Sequence, residues 1–269
     1  MDLKRDPVVA GQFYPGRKEA LTKDIAGIIN TKAAKRDCIG VVSPHAGYVY
    51  SGAVAASVFS AINPASAYVI IGPNHTGLGE RFGLSTCRWW KTPLGEVELD
   101  TALAGAIKRK SALVKDDNTS HQFEHSIEVQ LPFLQYLFKS FKIVPIVASG
   151  AGLADYREVG LAIAGAIKEL GTKAVIVASS DMTHYEPAAQ AKKKDGEAIK
   201  AILDLDESRL LDKVESLGIT MCGYAPVTIM LAAAKRLGAV KAELVKYATS
   251  GDVTGDNSSV VGYAGLIIY

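Results

Sequence analysis

The chain has 269 residues, a length that fits one large domain spanning 1–269, and it is 48% hydrophobic and 22% charged. This composition excludes a disordered, collagen-like or disulfide-scaffold protein, and a net charge of +2 gives no basis for nucleic-acid binding. No apolar run reaches the roughly 18 residues of a membrane helix, and the first residues lack the apolar stretch of a secretory signal. We therefore expect a cytoplasmic protein that does not bind membranes.

Short apolar runs rich in Val and Ile alternate with longer segments of helical period, which is the pattern of an α/β fold. Several runs are apolar throughout, as in strands that are buried on both faces. The predicted strands are, in chain order, 38–43, 67–72, 82–90, 95–99, 142–148, 173–179, 242–248 and 260–269. The predicted helices are 17–34, 50–62, 101–110, 124–138, 153–170, 187–203, 207–217 and 224–237.

Most strand-to-helix alternations imply parallel crossovers, because two neighbouring parallel strands need a long connection. The exception is the stretch 82–99, in which two strand-like runs are joined around KTPLG. Pro93 and Gly95 punctuate this stretch, so it is predicted to be a hairpin. The sequence thus predicts a single-domain three-layer sandwich with a mostly parallel, mixed central sheet covered by helices on both faces.

Three histidines follow apolar runs in the same way. His45 ends VVSPH, His75 ends VIIGPNH and His184 ends VIVASSDMTH. The carboxyl ends of parallel strands lie along one edge of a sheet, where ligands bind in α/β folds, so these imidazoles are expected to meet in one cleft. The alternative for each histidine alone is that it ends a turn without a role in a site.

His121 and His125 occur in SHQFEHSIEVQLPFL, at the start of the predicted helix 124–138. Their spacing of four residues lacks the HExxH pattern, so a zincin-type metal site is excluded. His125 is the better site candidate of the two. The alternative is helix capping, with Ser120 or His121 ending the loop and Glu124 complementing the helix N-terminus.

Cys222 lies just before a predicted helix, in ITMCGYAP, where a thiol is expected to have a lowered pKa and to bind a metal or act as a nucleophile. Cys38 and Cys87 lie in apolar or strand-like contexts and are expected to be inert. Asp181, three residues before His184, is expected either to orient the imidazole of His184 or to cap the next helix.

The late segment TSGDVTGDNSS, 249–259, is polar and rich in Gly and Ser. It has neither the GxxxxGK[ST] pattern nor a GxGxxG before a helix, so a phosphate cradle is not indicated. We expect a surface loop between two strands.

Taken together, the motifs resemble the MEMO-like family, also called AmmeMemoRadiSam system protein B. The resemblance is carried, in order along nearly the whole chain, by AGQFYPG, SPHAGYVYSG, GPNHTG, EHSIEVQLPFL, SSDMTHY, MCGYAP and SSVVGYAGLIIY. It implies a fold similar to that of the class III extradiol dioxygenases, which hold non-haem iron through two histidines and a carboxylate.

By this resemblance His45 and His75 take the positions of the two histidine ligands, and Cys222 takes that of the carboxylate. His184 and His125 match the acid/base histidines that move protons, with Asp181 beside His184. A thiolate is softer than a carboxylate and shifts the metal preference towards zinc or copper, so the expected cofactor is a divalent transition metal, namely iron, copper or zinc.

The first functional hypothesis is a metal-dependent redox enzyme with a dioxygenase-like cleft. The second is a binding module without turnover that recognises a small aromatic or anionic ligand or a phosphorylated peptide, as the resemblance to eukaryotic signalling adaptors implies. The expected ligand contacts are Tyr48, Asn74, Phe13 and Tyr14. A third hypothesis is a cysteine hydrolase with Cys222 as the nucleophile.

Overall fold

The structure is a computed structural model in which residues 3–269 are described, and this part of the chain contains twelve strands and nine α-helices. The strands are β1 (Lys4–Arg5), β2 (Gly40–Ser43), β3 (Ala67–Pro73), β4 (Phe82–Leu84), β5 (Trp89–Thr92), β6 (Gly95–Leu99), β7 (Val114–Asp116), β8 (Lys142–Ala148), β9 (Ala174–Ser179), β10 (His184–Glu186), β11 (Ala242–Thr249) and β12 (Val260–Ile268). The helices are α1 (Lys18–Ile28), α2 (Tyr48–Ser60), α3 (Thr101–Lys110), α4 (Leu131–Leu137), α5 (Leu153–Leu170), α6 (Ala188–Leu203), α7 (Glu207–Ser216), α8 (Tyr224–Leu237) and α9 (Gly251–Thr254).

All twelve strands of the described residues belong to one mixed sheet, which confirms the predicted fold class. Its centre consists of four parallel strands in the order β8, β3, β9, β2, and β6 extends this parallel part beyond β8. On the other side β12 pairs antiparallel with β2, and β11 pairs antiparallel with β12. The carboxyl ends of β2, β3 and β9 therefore lie next to one another at one edge of the sheet.

The central strands are apolar throughout because each of their faces packs into a separate core. In β3, Tyr68 and Ile70 belong to one core and Val69 and Ile71 to the other. Helices α1, α2 and α4 contribute to the first core, and helices α3, α5, α6, α7 and α8 to the second. Successive strand side chains point to opposite faces, so an uninterrupted apolar run is what a sheet covered on both sides requires.

One predicted helix is wrong in most of its first half. Residues 118–127 contain no helix, a 3-10 turn covers Glu128–Gln130, and α4 begins only at Leu131. Pro132, at the start of α4, suits the first turn of a helix because that turn needs no N–H donor there. The Glu124 carboxylate accepts backbone N–H bonds from His125 and Ser126, so it organises a loop.

The predicted hairpin is present as β5 and β6, which pair antiparallel with Thr92 opposite Gly95. The predicted strand 82–90 is interrupted and forms β4 and β5. The short elements β1, β7, β10 and α9 were not predicted, and α9 lies inside the segment 249–259 that was expected to be a loop. Among the described residues, no helix is long and apolar enough to cross a membrane.

Candidate metal centre and cleft

A cleft of about 680 Å³ opens at the carboxyl edge of the sheet. Three of its side chains stand two residues beyond a central strand: His45 after β2, His75 after β3 and Asp181 after β9. This equal offset follows from the parallel arrangement, in which Ser43 of β2 lies opposite Ser179 of β9. The chain thus delivers polar groups from three adjacent strands to one place, as α/β sheets do at their ligand sites.

Three imidazoles meet in this cleft: those of His45, His75 and His125. One ring nitrogen of each lies within 4.8 Å of one ring nitrogen of the other two. The ring of His75 stacks on that of His125 with centroids 4.9 Å apart, and the His45 ring meets both edge-on at 5.2 Å and 5.6 Å. The nitrogens can converge on one ion without a change of fold.

The tautomer of His45 follows from its hydrogen-bond network. The Ser179 hydroxyl donates to the carbonyl of Ser126 (2.7 Å) and accepts from the amide of Gln130 (2.8 Å). The Ser179 hydroxyl has already donated its proton, so it accepts a hydrogen bond from Nδ1 of His45, 2.9 Å away, and Nδ1 carries the ring proton. Burial, helped by the neighbouring His75 and His125, lowers the pKa of His45 well below its usual value, so the ring is neutral and Nε2 carries the lone pair.

His75 is oriented by Glu124. The Nδ1 atom of His75 lies 3.0 Å and 3.2 Å from the two carboxylate oxygens, and the backbone N–H of His75 donates to the same group at 2.7 Å. Burial alone would lower the pKa of His75, but the hydrogen bond and the charge of Glu124 outweigh it and raise this pKa. A carboxylate that holds Nδ1–H of a histidine fixes the ring and raises the basicity of its other nitrogen, a common arrangement around protein-bound metals.

His125 enters the cleft from the loop that precedes α4. Its ring packs edge-on against Phe13 at 4.7 Å, and burial lowers its pKa. A side chain at Gly72 of β3 would overlap the hydroxyl of Ser126, so glycine lets this loop lie directly on the strand end. His125, expected from the family resemblance to transfer protons, lies among the nitrogens that could bind a metal.

Cys222 lies next to His45. Its Sγ atom is 3.2 Å from His45 Nε2 and accepts the backbone N–H of Asp181 at 3.3 Å. The expectation of a lowered thiol pKa is wrong, because burial and the nearby Asp181 raise the pKa of Cys222 well above its usual value. In the absence of a metal the thiol is therefore protonated, which disfavours the cysteine hydrolase hypothesis.

Among the described residues, the hydrogen bonds of Asp181 hold the backbone rather than the ring of His184, and Asp181 does not cap the next helix. Its Oδ1 atom accepts the backbone N–H of His45 at 2.8 Å and so fixes the loop that follows β2. The residue before α6 is Pro187, and no side chain caps the N-terminus of this helix. Burial raises the pKa of Asp181 to about 6, although the bond from His45 partly offsets this effect.

His184 lines the cleft from β10. Its Nδ1 donates to the carbonyl of Thr220 at 2.9 Å, and its backbone N–H donates to the Thr220 hydroxyl at 2.7 Å. Since a carbonyl only accepts, Nδ1 carries the proton of the neutral ring and Nε2 remains available as a proton acceptor. Thr220 is thus the residue that holds His184.

Of the four expected ligand contacts, Phe13 lines the cleft and the other three do not. Tyr48 is buried, stacks on Phe133 and donates its hydroxyl to the carbonyl of Val129. Tyr14 is also buried and donates to Glu128 at 2.5 Å. Both rings belong to the core because the helical and loop segments that carry them pack against α4.

The expected role of Asn74 is also not supported, since its side chain is occupied within its own loop. Its amide donates to Leu78 and Ser149, and its carbonyl oxygen accepts from Thr76 and Gly77. The residue closes the turn after β3 and holds His75 in place only indirectly.

Two contributors to the site were missed by sequence reasoning, namely the orienting roles of Glu124 and Ser179. A carboxylate directly before a histidine, as in EHS, was an available signal, but it was interpreted as a helix cap. His121, the other histidine of that segment, is buried away from the cluster and binds the carbonyl of Gly83 through Nε2 at 2.9 Å.

The donor set fits a divalent transition metal. His45 and His75 each have Nδ1 engaged by an acceptor, so their Nε2 atoms carry the lone pairs that can bind an ion; Nε2 of His45 faces the Cys222 thiol, and His125 adds a third imidazole within reach. Imidazole suits zinc, copper and iron, and a cysteine beside the cluster adds a soft donor.

The sequence profile of the family described as Memo-like protein matches residues 5–267. A MEMO1 family protein of Methanosarcina mazei is 47% identical over 266 residues, which cover 98% of both chains. MEMO1 family proteins of Methanopyrus kandleri (46% identical; 98% of this chain and 99% of that chain) and Methanocaldococcus jannaschii (45%; 100% of both chains) are similarly close. Among solved structures, an uncharacterized protein of Escherichia coli K12 matches with a TM-score of 0.55 at 16% identity, over 86% of this chain and 99% of that chain, which shows a common fold alone.

Proposed function

Because this chain belongs to the Memo-like protein family, we propose that it binds a divalent transition metal through His45, His75 and His125 and uses it in a redox reaction on a small aromatic ligand. The observation that carries the proposal is the convergence of the three imidazoles, whose nitrogens lie within 4.8 Å of one another. Glu124 and Ser179 fix two of the rings before any metal arrives, so binding requires little reorganisation.

Imidazole ligands suit iron, copper and zinc, and the proposed redox reaction requires iron or copper, because zinc does not change its oxidation state. Bound there, the metal would act as a Lewis acid, and iron or copper would also accept and donate electrons. Cys222 is the further donor: its Sγ atom is 3.2 Å from Nε2 of His45, on the edge of the cluster. In this proposal the three imidazoles would hold the ion, and Cys222, which lies outside the set of atoms within 4.8 Å of one another, would join them once its thiol has lost its proton.

The remaining side chains of the cleft position the ligand and move a proton. His184, held by Thr220 with Nε2 free, is the general base that accepts a proton from a hydroxyl group of the ligand. The rings of Phe13, Tyr50 and Tyr263 contribute apolar walls that orient an aromatic ring and exclude water from it.

Metal analysis of protein purified without chelators tests the metal site. We expect a near-stoichiometric transition metal in the wild type and loss of most of it in His75→Ala, whose side chain is about a third exposed (34%) and so tolerates truncation. His184→Ala is the matched control, because it removes a histidine of the same cleft that is not part of the cluster; it should retain the metal and lose turnover. Equal metal contents in the wild type and His75→Ala would refute the proposed site.

A binding module without turnover is the second candidate. The apolar side chains of Val49 and Tyr185 at the mouth of the cleft are 68% and 80% exposed, which favours contact with a ligand that extends beyond the cleft. Measuring binding and product formation with the same catechol and the same metal-loaded protein separates the two candidates. Saturable binding without product in the iron-loaded and copper-loaded forms favours the binding module.

A further inference from the structure

The charged side chains in the lining of the cleft bear on which ligands it accepts. Among its described residues there is no lysine or arginine, and it contains two carboxylic acids, Asp181 and Asp256. An anionic group that entered the cleft would find imidazoles, hydroxyls and backbone N–H groups, but no permanently cationic side chain to neutralise it. The protein part of the cleft therefore disfavours phosphate and carboxylate groups.

Asp256 is the carboxylate placed to contact a ligand at the mouth of the cleft. It is exposed in the loop that follows α9, and its Oδ1 atom accepts the backbone N–H (2.8 Å) and the hydroxyl (2.6 Å) of Ser258. These bonds hold its pKa below the usual value, so the group is ionised at neutral pH, and they engage only one of its two oxygens. Asp181, by contrast, is buried, and its Oδ1 is already bonded to the backbone of His45.

Aromatic side chains stand on the same mouth as Asp256. Tyr50 and Tyr185 line the cleft and are 40% and 80% exposed. Tyr185 has a backbone φ of 61°, a conformation that a bulky residue adopts at a cost and that concentrates at functional sites. Electron-rich ring faces attract organic ammonium groups, and a carboxylate nearby adds to this attraction.

The volume of the cleft leaves room for a ligand that is larger than a single aromatic ring. About 680 Å³ is typical of pockets that hold molecules with a ring and a substituent. A ring bound at the imidazole cluster would direct its substituent outward, towards the mouth where Asp256, Tyr50 and Tyr185 lie. The chemistry at the mouth then decides which substituent is accepted.

We propose that Asp256 is a specificity-determining residue that selects aromatic ligands whose side chain ends in an amine over ligands that end in a carboxylate or a phosphate. This selection rests on the proposed function, because the ion that the three histidines would hold is what would bind the hydroxyl oxygens of the ring. The amine lies between the free oxygen of Asp256 and the faces of the two tyrosines. The absence of lysine and arginine from the described lining makes the same mouth unfavourable for anionic tails.

The test uses three catechols that share one ring and differ in the charge of the tail: dopamine (cationic), 4-ethylcatechol (neutral) and 3-(3,4-dihydroxyphenyl)propionate (anionic). Their affinities are measured by calorimetry with the zinc-loaded protein without oxygen, because zinc does not oxidise the ring. We expect dopamine to bind about fivefold more tightly than 4-ethylcatechol at low salt, as for one partly exposed ion pair, and the propionate to bind more weakly than both. The preference should shrink in high salt.

Asp256→Asn should remove the advantage of dopamine, and Asp256→Lys should transfer it to the propionate. Glu215→Gln is the matched control, since Glu215 is exposed and outside the described lining of the cleft; it removes one negative charge and should leave the order of affinities unchanged. Equal affinities of the three compounds for the wild type, an unchanged order in Asp256→Asn, or no binding of any of them overturns the selection by Asp256. Failure of the protein to take up zinc instead overturns the proposed metal site.

Discussion

The Sγ atom of Cys222 lies 3.2 Å from Nε2 of His45, although the two residues are 177 positions apart in the chain. Since Nδ1 of His45 carries the ring proton, Nε2 faces the sulfur with its lone pair, and the thiol is the donor of this hydrogen bond. A metal that bound Nε2 would displace this proton. The pair therefore couples metal binding to the ionisation of Cys222.

This coupling predicts the pH dependence of metal affinity. The pKa of the Cys222 thiol is raised well above its usual value, so metal binding through sulfur releases a proton throughout the neutral and mildly alkaline range. Between pH 7.5 and 9 we expect the zinc affinity of the wild type to rise by about tenfold per pH unit. Competition with a chelator measures the slope.

Cys222→Ala should flatten this slope, while Cys87→Ala, which replaces a buried cysteine outside the cleft, should keep it. Cobalt-loaded protein adds a second measurement, since a thiolate ligand gives an intense near-ultraviolet charge-transfer band. A wild-type spectrum without such a band, or a slope that Cys222→Ala leaves unchanged, would show that Cys222 is not a ligand.

Glu124 is expected to set the affinity of the cluster without touching the metal. Burial opposes its ionisation, but the hydrogen bond from His75 and the backbone N–H groups of Ser126 and His75 hold the pKa of Glu124 well below its usual range. Glu124→Gln should weaken metal binding by about 10- to 100-fold, because the amide orients His75 less firmly and removes a charge. Glu19→Gln, an exposed position in the first turn of α1, is the control. An affinity within twofold of the wild type in Glu124→Gln would contradict this role.

His121 is expected to make the protein sensitive to acid. Burial lowers its pKa to about 4, and its Nδ1 atom has no partner among the described residues. Folding favours the neutral form of His121, so its contribution to stability is complete above its unfolded pKa of about 6.5. As the pH falls from 6.5 towards 4, the unfolded chain binds a proton that the folded protein does not, and this stability is lost. Between pH 7 and pH 5 the resulting loss is about 2 kcal/mol in the free energy of unfolding.

Replacing His121 by Gln, which keeps a donor for the carbonyl of Gly83, should remove this part of the acid sensitivity. Urea unfolding of the metal-free protein at pH 7 and pH 5 provides the comparison. His45 and His125 also have lowered pKa values and remain in both proteins, so the difference between the two isolates His121. Equal losses of stability in the wild type and His121→Gln would contradict the assignment.

Arg5 is expected to hold the loop of His125 in place. Its guanidinium pairs with buried Glu128 at 2.7 Å and donates to the carbonyls of His121 (3.1 Å) and Glu124 (2.5 Å). Arg5→Ala leaves the charge of Glu128 uncompensated, so we expect a loss of about 3 kcal/mol in the free energy of unfolding. Lys4→Ala is the matched control from the adjacent position.

Lys4 forms an ion pair with Glu96 in which both side chains are more than a third exposed (44% and 37%), and such pairs contribute less than about 1 kcal/mol. Chemical denaturation of both variants therefore separates a buried pair from a surface pair. Similar unfolding midpoints for Arg5→Ala and Lys4→Ala would show that Arg5 is not needed to hold the loop.

The strands and most helices could be predicted from the sequence because their signals are local. In apolar runs such as VIIG of β3, successive side chains pack into two different cores. Helix α5 has an amphipathic period in the sequence, and its observed bounds are the predicted ones, 153–170. The short strands β1 and β7 were not predicted, since two or three residues carry too little periodicity and owe their conformation to pairing with β5 and β4.

Residues 124–127, at the start of the predicted helix 124–138, illustrate a local signal that tertiary contacts override. The amphipathic pattern of 124–138 predicts a helix here, but the Glu124 carboxylate finds partners in the backbone of His75, His125 and Ser126, and Arg5 binds the carbonyl of Glu124. The bonds from His75 and Arg5 come from distant parts of the chain. No pattern within the segment indicates them.

The sequence by itself determined the α/β fold class, the family, and the positions of His45 and His75 at strand ends, because strand periodicity and the order of short motifs are properties of neighbouring residues. Only the tertiary structure decided that His125 joins these two rings, that Tyr14 and Tyr48 turn into the core, and that the thiol of Cys222 is protonated. The physical reason is that ring orientation, burial and pKa depend on donors and acceptors contributed by segments that are remote in sequence and adjacent only in the folded protein.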